Sequence, residues 1–171
     1  MLAHPAAAFV GALLIVSAMV VPAAHAAAPK SLGQFGDWEA FVEDGAGGKV
    51  CYAATLPKLS KNAPSTRSRA YTLVSDHPAD KAFGVIGITA GFVLKKGAPA
   101  MLKVSETRFD LYTVGDTAWS RDDKAVLAAL AKAKSAIFFG FPAKGEAVAD
   151  SYGLTGFSDA RAAIDKACPP K

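Results

Sequence analysis

Cys51 and Cys168 are the only cysteines in the chain, so an intramolecular disulfide could form in one way only. Such a bond would close a loop of well over a hundred residues, for which the chain-entropy picture gives about 5 kcal/mol of stabilisation. It constrains the fold only where thiols are oxidised, and so the N-terminal segment decides how the pair is read. Residues 1–26 contain no Lys, Arg, Asp or Glu. An apolar run over 9–21 is followed by Pro22 and then by Ala24-His25-Ala26, the small-x-small pattern that a signal peptidase accepts. The run is shorter than the roughly 20 residues a spanning helix needs. The expectation is a cleaved signal peptide over 1–26 and a single domain over 27–171. In an exported domain the two cysteines are expected to pair. Redox pairs usually sit within a few residues of each other, so this widely spaced pair reads as architectural.

Beyond residue 26 the pattern is one of short β-prone runs separated by Gly, Pro and charged turns. Residues 37–43 (DWEAFVE) and 49–55 (KVCYAAT) flank Asp44-Gly45-Ala46-Gly47-Gly48, which predicts a hairpin. Residues 56–68 carry two prolines, three serines, Asn62 and several cations, the composition of a long exposed loop. Strand character resumes over 69–76 (RAYTLVSD) and 83–94 (FGVIGITAGFVL), the second with a bulge or bend expected at Gly87 or Gly91. Residues 101–104, 107–114 (TRFDLYTV), 137–142 (IFFGFP) and 147–154 (AVADSYGL) read as further strands. Two helices interrupt this background, one capped by Ser120 and one capped by Ser158 and running to Ala167. On the second, Ile164 and Cys168 are four apart and share a face. The prediction is a mainly β fold, an antiparallel β-sandwich or barrel-like domain with two short helices.

The full chain carries 19 Lys and Arg against 15 Asp and Glu, a net charge of +4. That balance suits contact with anionic surfaces such as lipid headgroups or acidic glycans. The cations are scattered, without a basic run interleaved with stacking aromatics, so nucleic acid is not an expected partner. No stretch after residue 26 is long enough to span a bilayer as a helix. Loops on a rigid scaffold usually carry recognition, which makes Lys58, Lys61, Arg67 and Arg69 a candidate basic edge, with Lys95 and Lys96 on a second turn.

Catalytic constellations are nearly absent. The one histidine after residue 26, His77, precedes Pro78 at a strand end, and its neighbour Asp76 would point to the opposite face. A Ser-His-Asp triad is therefore disfavoured. One His and two paired Cys do not make a typical zinc site, and the glycines at 84, 87 and 91 lack phosphate-loop spacing. The carboxylates Asp122-Asp123 and Glu146 with Asp150 read as caps and solvated turns. Trp38 and Trp119, each following a Gly-Asp turn or close to one, are expected in the core.

Taken together, Phe35-Gly36-Asp37-Trp38, Val50-Cys51-Tyr52, Gly115-Asp116-Thr117-Ala118-Trp119 and the closing run from Tyr152 to Cys168 resemble the invasion-associated locus B family, in the same order along the chain. The family consists of exported proteins of Gram-negative bacteria. Members nearer its namesake carry a further cysteine pair where this chain has residues 116–124, so this chain looks like a shorter branch. The resemblance implies a periplasmic or outer-envelope β-rich domain, with no catalytic residue, cofactor or metal to carry over. The functional expectation is a noncatalytic protein, not an enzyme, that binds an envelope or host component, including an anionic lipid or glycan surface. The alternatives are a periplasmic hydrolase using carboxylates, or an inhibitor or chaperone that docks through a sheet edge.

Overall fold

Alternation of buried with half-buried residues, as over 50–55, 136–140 and Val148–Gly153, is what a strand with one face on a core requires. The computed structural model describes residues 28–170; the expected signal peptide, 1–26, lies outside the described residues. Among these described residues eleven strands form: β1 Lys30–Phe35, β2 Trp38–Gly45, β3 Gly48–Thr55, β4 Leu59–Lys61, β5 Tyr71–His77 and β6 Ala82–Thr89 in the first half. The second half supplies β7 Ala100–Val104, β8 Thr107–Val114, β9 Thr117–Ser120, β10 Ser135–Gly140 and β11 Val148–Gly153, with helices α1 Asp123–Leu130 and α2 Phe157–Ala167.

All strands join one antiparallel sheet in the order β1-β2-β3-β5-β6-β9-β8-β7-β10-β11-β4. The sheet curls until its far end meets its beginning. Asp37 N donates to Thr155 O at 2.9 Å, and Trp38 Nε1 donates to Gly153 O at 3.1 Å. The mainly β, antiparallel fold with two short helices is thus present, and of the two expected forms it is the barrel-like one.

The concave side holds the core. Trp38, Ile86, Ile88, Leu102, Phe138 and Tyr152 are all at most 2 % exposed. Helix α2 covers this side at β1, β2, β3 and β5, with Phe157 meeting Trp38 edge-on at 5.0 Å and Ile164 fully buried. Burying each such side chain stabilises by about 1.5–3 kcal/mol.

Several local expectations shift. Asp122, not Ser120, caps α1, its Oδ1 accepting from Ala125 N at 3.0 Å; Ser120 Oγ instead accepts from Asp122 N. Helix α2 starts at Phe157 behind Gly156 rather than behind Ser158, because Phe157 must already turn inward to reach Trp38. The expected bend falls at Gly91, where φ is +74° and a Cβ would stand 2.4 Å from Ser68 O. Only glycine fits there. This turn ends β6 and receives Ser68 N on Gly91 O at 2.9 Å, docking the preceding loop.

Candidate binding face

The same alternation that sends Cys51, Ala53 and Thr55 of β3 inward sends Val50, Tyr52 and Ala54 outward. On β5 it buries Thr72 and Val74 and turns Tyr71, Leu73 and His77 to the convex side. Register then lines up Ala54, Leu73, Gly87, Trp119 and Tyr112 in one row across β3, β5, β6, β9 and β8. The small members of that row make a dip. Trp119 lies over Gly87, where a Cβ would come within 2.9 Å of its Cζ3, so glycine lets the indole lie against the sheet. Tyr52 stacks on Phe41 with ring centroids 5.1 Å apart, and the Arg121 guanidinium stands 5.5 Å over the Tyr112 ring.

A trough of about 480 Å³ follows the β3–β5 pair, walled by Tyr52, Tyr71, Leu73 and Trp119, with Arg69 and His77 among its few polar groups. A more polar hollow of about 450 Å³ shares Ala54, Leu56 and Arg69 with it and adds Asp37, Glu39 and Lys58. Burial, and then the nearby Glu43 and Glu39 carboxylates, push the Tyr52 phenol above its ordinary range, so it stays neutral at physiological pH. Neither helix covers this face. Trp119, expected in the core, is half-buried on its outside; Trp38 alone is a core tryptophan.

The cations expected as contacts divide. Arg69 is exposed, lines both hollows and has no ion-pair partner among the described residues. Lys58 lines the polar hollow and pairs with Asp37 at 2.6 Å. Lys61 is exposed on β4, and Lys95 and Lys96 are exposed on the turn after Leu94; none of these three lines either hollow. Arg67 turns inward. Its Nη1 donates to Asp150 Oδ1 at 2.8 Å, Nη2 donates to Asp150 Oδ2, and Nε donates to Ala90 O at 2.6 Å. Its guanidinium also stands 5.6 Å from the Phe92 ring centre. With Ser60 Oγ on the same carboxylate at 2.6 Å, it ties loop 56–70 to β11. That segment, exposed over most of its length as its composition predicts, is also fastened, a strap carrying the short strand β4.

A second buried carboxylate, Asp76, faces inward from β5. Its Oδ1 accepts from Gly84 N and from Arg161 Nη1, both at 2.7 Å. It therefore points away from His77, whose Nε2 instead lies 3.0 Å from Ser75 Oγ. Cys51, across the ladder from Asp76, is joined to Cys168 by a disulfide with Cα atoms 5.9 Å apart, and both cysteines are buried. This bond pins the end of α2 to β3 behind the trough. Among the described residues no group of three or more His, Cys, Asp or Glu is placed to hold a metal ion, and no helix is long and apolar enough to cross a membrane.

The trough residues had one sequence signal. Residues 71–74 (YTLV) offer large or β-branched side chains to both faces of one strand, so one such face must pack elsewhere or stay uncovered.

With this geometry in view, residues 38–165 match the family described as invasion associated locus B (IalB) protein. Among solved structures, invasion associated protein B from Bartonella henselae shares the fold. The TM-score is 0.57 at 21% identity, over 81% of this chain and 97% of that one. No curated protein matches.

Proposed function

The chain belongs to the invasion associated locus B family, and on that premise we propose that it is an exported, noncatalytic envelope protein that binds a partner or an anionic envelope component through the convex face of β3 and β5. The observation that carries this reading is the aromatic trough itself, apolar, uncovered by the described residues and bordered by Arg69, a cation with no ion-pair partner among them. Concave, mostly apolar surfaces with a few polar groups are the usual form of a ligand site. Residence in the periplasm or at the outer envelope agrees with the disulfide and with the signal-peptide reading of residues 1–26. Lys58, Lys61, Lys95 and Lys96 add a diffuse attraction for anionic material. A carboxylate hydrolase would need acids converging in a pocket with room to act. The two acids of the polar hollow are engaged, Asp37 by Lys58 and Glu39 by Ser31, and the two fully buried carboxylates, Asp76 and Asp150, are each bonded to an arginine.

The test is equilibrium binding of the purified exported form to anionic vesicles and to lipopolysaccharide, alongside a Tyr71→Ser/Leu73→Asn variant. The face variant should lose binding while its urea midpoint stays close to the parent's. Undiminished binding by that variant would move the recognition surface elsewhere.

A further inference from the structure

We propose that the trough takes a single-chain anionic amphiphile, a long-chain carboxylate whose head sits on Arg69 and whose chain lies along the β3–β5 pair. This rests on the reading of the convex face as the recognition surface and names its ligand class. Three observations converge on it.

The first is direction. Leu56 and Tyr71 flank one end of the trough, Ala54 and Leu73 its middle, and Val50 and His77 its far end. The ladder pairs these strands in that order, Ala54 opposite Leu73 and Tyr52 opposite Ser75. Six residue steps at about 3.3 Å each give an apolar track of about 20 Å, the reach of an extended long-chain acyl group. The second is cross-section. The floor is made by small Ala54 and by the Trp119 indole lying flat over Gly87, while Tyr52 and Tyr71 stand beside it, so the depression is a channel and not a flat patch. Methylene burial there is the main driving term.

The third is charge. Arg69 lies at one end of the track, beyond Tyr71 on the same face of the chain, and has no carboxylate partner among the described residues. The acids near it are already engaged: Asp37 pairs with Lys58 at 2.6 Å, and Glu39 accepts from Ser31 Oγ at 2.8 Å. A carboxylate head arriving at Arg69 would find a planar, two-pronged donor without displacing an existing pair. Elsewhere the track offers hydroxyls, one imidazole, the Trp119 indole and apolar surface.

The experiment is calorimetric titration of the disulfide-bonded exported chain with hexadecanoate, octanoate and hexadecanol, with anionic vesicles and sedimentation of the free protein as further arms. Hexadecanoate should bind one to one. Octanoate should bind at least about a hundredfold more weakly, because eight fewer methylenes are buried. Arg69→Gln, or the uncharged alcohol, should weaken binding by about tenfold. Ala54→Phe, which fills the floor, should abolish it. Should that variant fold poorly, Trp119 emission gives an independent readout. It should shift on adding hexadecanoate to the parent chain and stay silent in Trp119→Phe, since Trp38 is fully buried.

Equal affinity for the eight- and sixteen-carbon acids, or no effect of Arg69→Gln, overturns the proposal. Absence of hexadecanoate binding, with vesicle binding or self-association still sensitive to Tyr71→Ser/Leu73→Asn, overturns it while leaving the convex face as the recognition surface. Loss of every such interaction overturns both.

Discussion

Strands β3 and β5 do two different jobs on their two faces. Inward, Cys51, Ala53, Val74 and Asp76 are fully buried under α2, which is fixed by the disulfide and by the Arg161–Asp76 pair. Outward, the neighbouring Tyr52, Ala54, Tyr71 and Leu73 meet no covering element. The contrast teaches that apolar character alone does not mark core in this chain. What separates the faces is whether charges are paired. Inside, the buried carboxylates Asp76 and Asp150 each have an arginine; outside, Arg69 borders the aromatic trough with no ion-pair partner among the described residues. One face is completed by the chain itself, and the other is left uncovered by the described residues.

The comparison breaks most readily at the strap. Among the described residues Arg67 is the only cation holding the Asp150 carboxylate, which has no solvent exposure. Arg67→Ala leaves that charge buried without its partner and should destabilise the fold by about 3–5 kcal/mol, read from urea unfolding. Replacing both partners, Arg67→Met with Asp150→Leu, should recover much of the loss, because a well-packed apolar pair avoids desolvating ions. If the single and double variants unfold at the parent's midpoint, the strap is not a structural fastening. Next in size is the disulfide. Cys51→Ala with Cys168→Ala should cost about 2–4 kcal/mol, and peptide mapping without reductant should find the two cysteines linked in the exported protein.

Much of the inner face was legible beforehand. The alternation of TRFDLYTV marks β8 with the bounds the structure has, and the Gly-rich link between 43 and 49 gives the β2–β3 hairpin. Ile164 and Cys168 do share the buried face at the end of α2. The ion pairs were not legible. Arg67 lies 83 residues from Asp150 and Arg161 lies 85 from Asp76, and no local pattern marks such partners in advance. Nor can period-two alternation say which apolar face of β5 is covered, and the usual burial of tryptophan predicts a core place for Trp119, which instead stands half-buried on the outer face. Short, polar KSLGQF carried too little hydrophobic pattern to reveal β1 at all, since its strand form depends on pairing with β2.

A sharper test of the two faces sets adjacent residues of one strand against each other. Val74→Ala removes methyls from a fully buried position and should cost about 1–3 kcal/mol. Leu73→Asn, one residue away and facing outward, should cost under about 1 kcal/mol yet remove binding at the trough. Gly87→Ala belongs with it. The added Cβ pushes against Trp119, so the indole should tilt off the sheet and its emission should shift, with little change in the unfolding midpoint. Similar stability losses for Val74→Ala and Leu73→Asn would mean that the outer face is covered in solution, and the contrast between the faces would fall.

The smallest expected effect concerns the border of the inner face, at Asp165. Burial raises its carboxyl pKa; Arg161, bonded to it, pulls the other way, and nearby Asp76 adds to the rise. A carboxyl whose pKa is higher in the folded chain than in the unfolded one holds more protons when folded, in the window between its ordinary value near 3.8 and the raised one. Stability contributed by this group therefore rises as pH falls through that window and is reduced above it. Asp165→Asn removes the ionisation and should flatten this part of the pH profile, leaving the chain at neutral pH as stable as the parent or slightly more so. The magnitude is small because Asp165 is partly exposed and solvent screens it. A variant clearly less stable at neutral pH would show instead that the Arg161–Asp165 bond dominates, which would make Asp165 part of the clamp that holds α2 over the inner face and extend that face's matched-charge rule out to its rim.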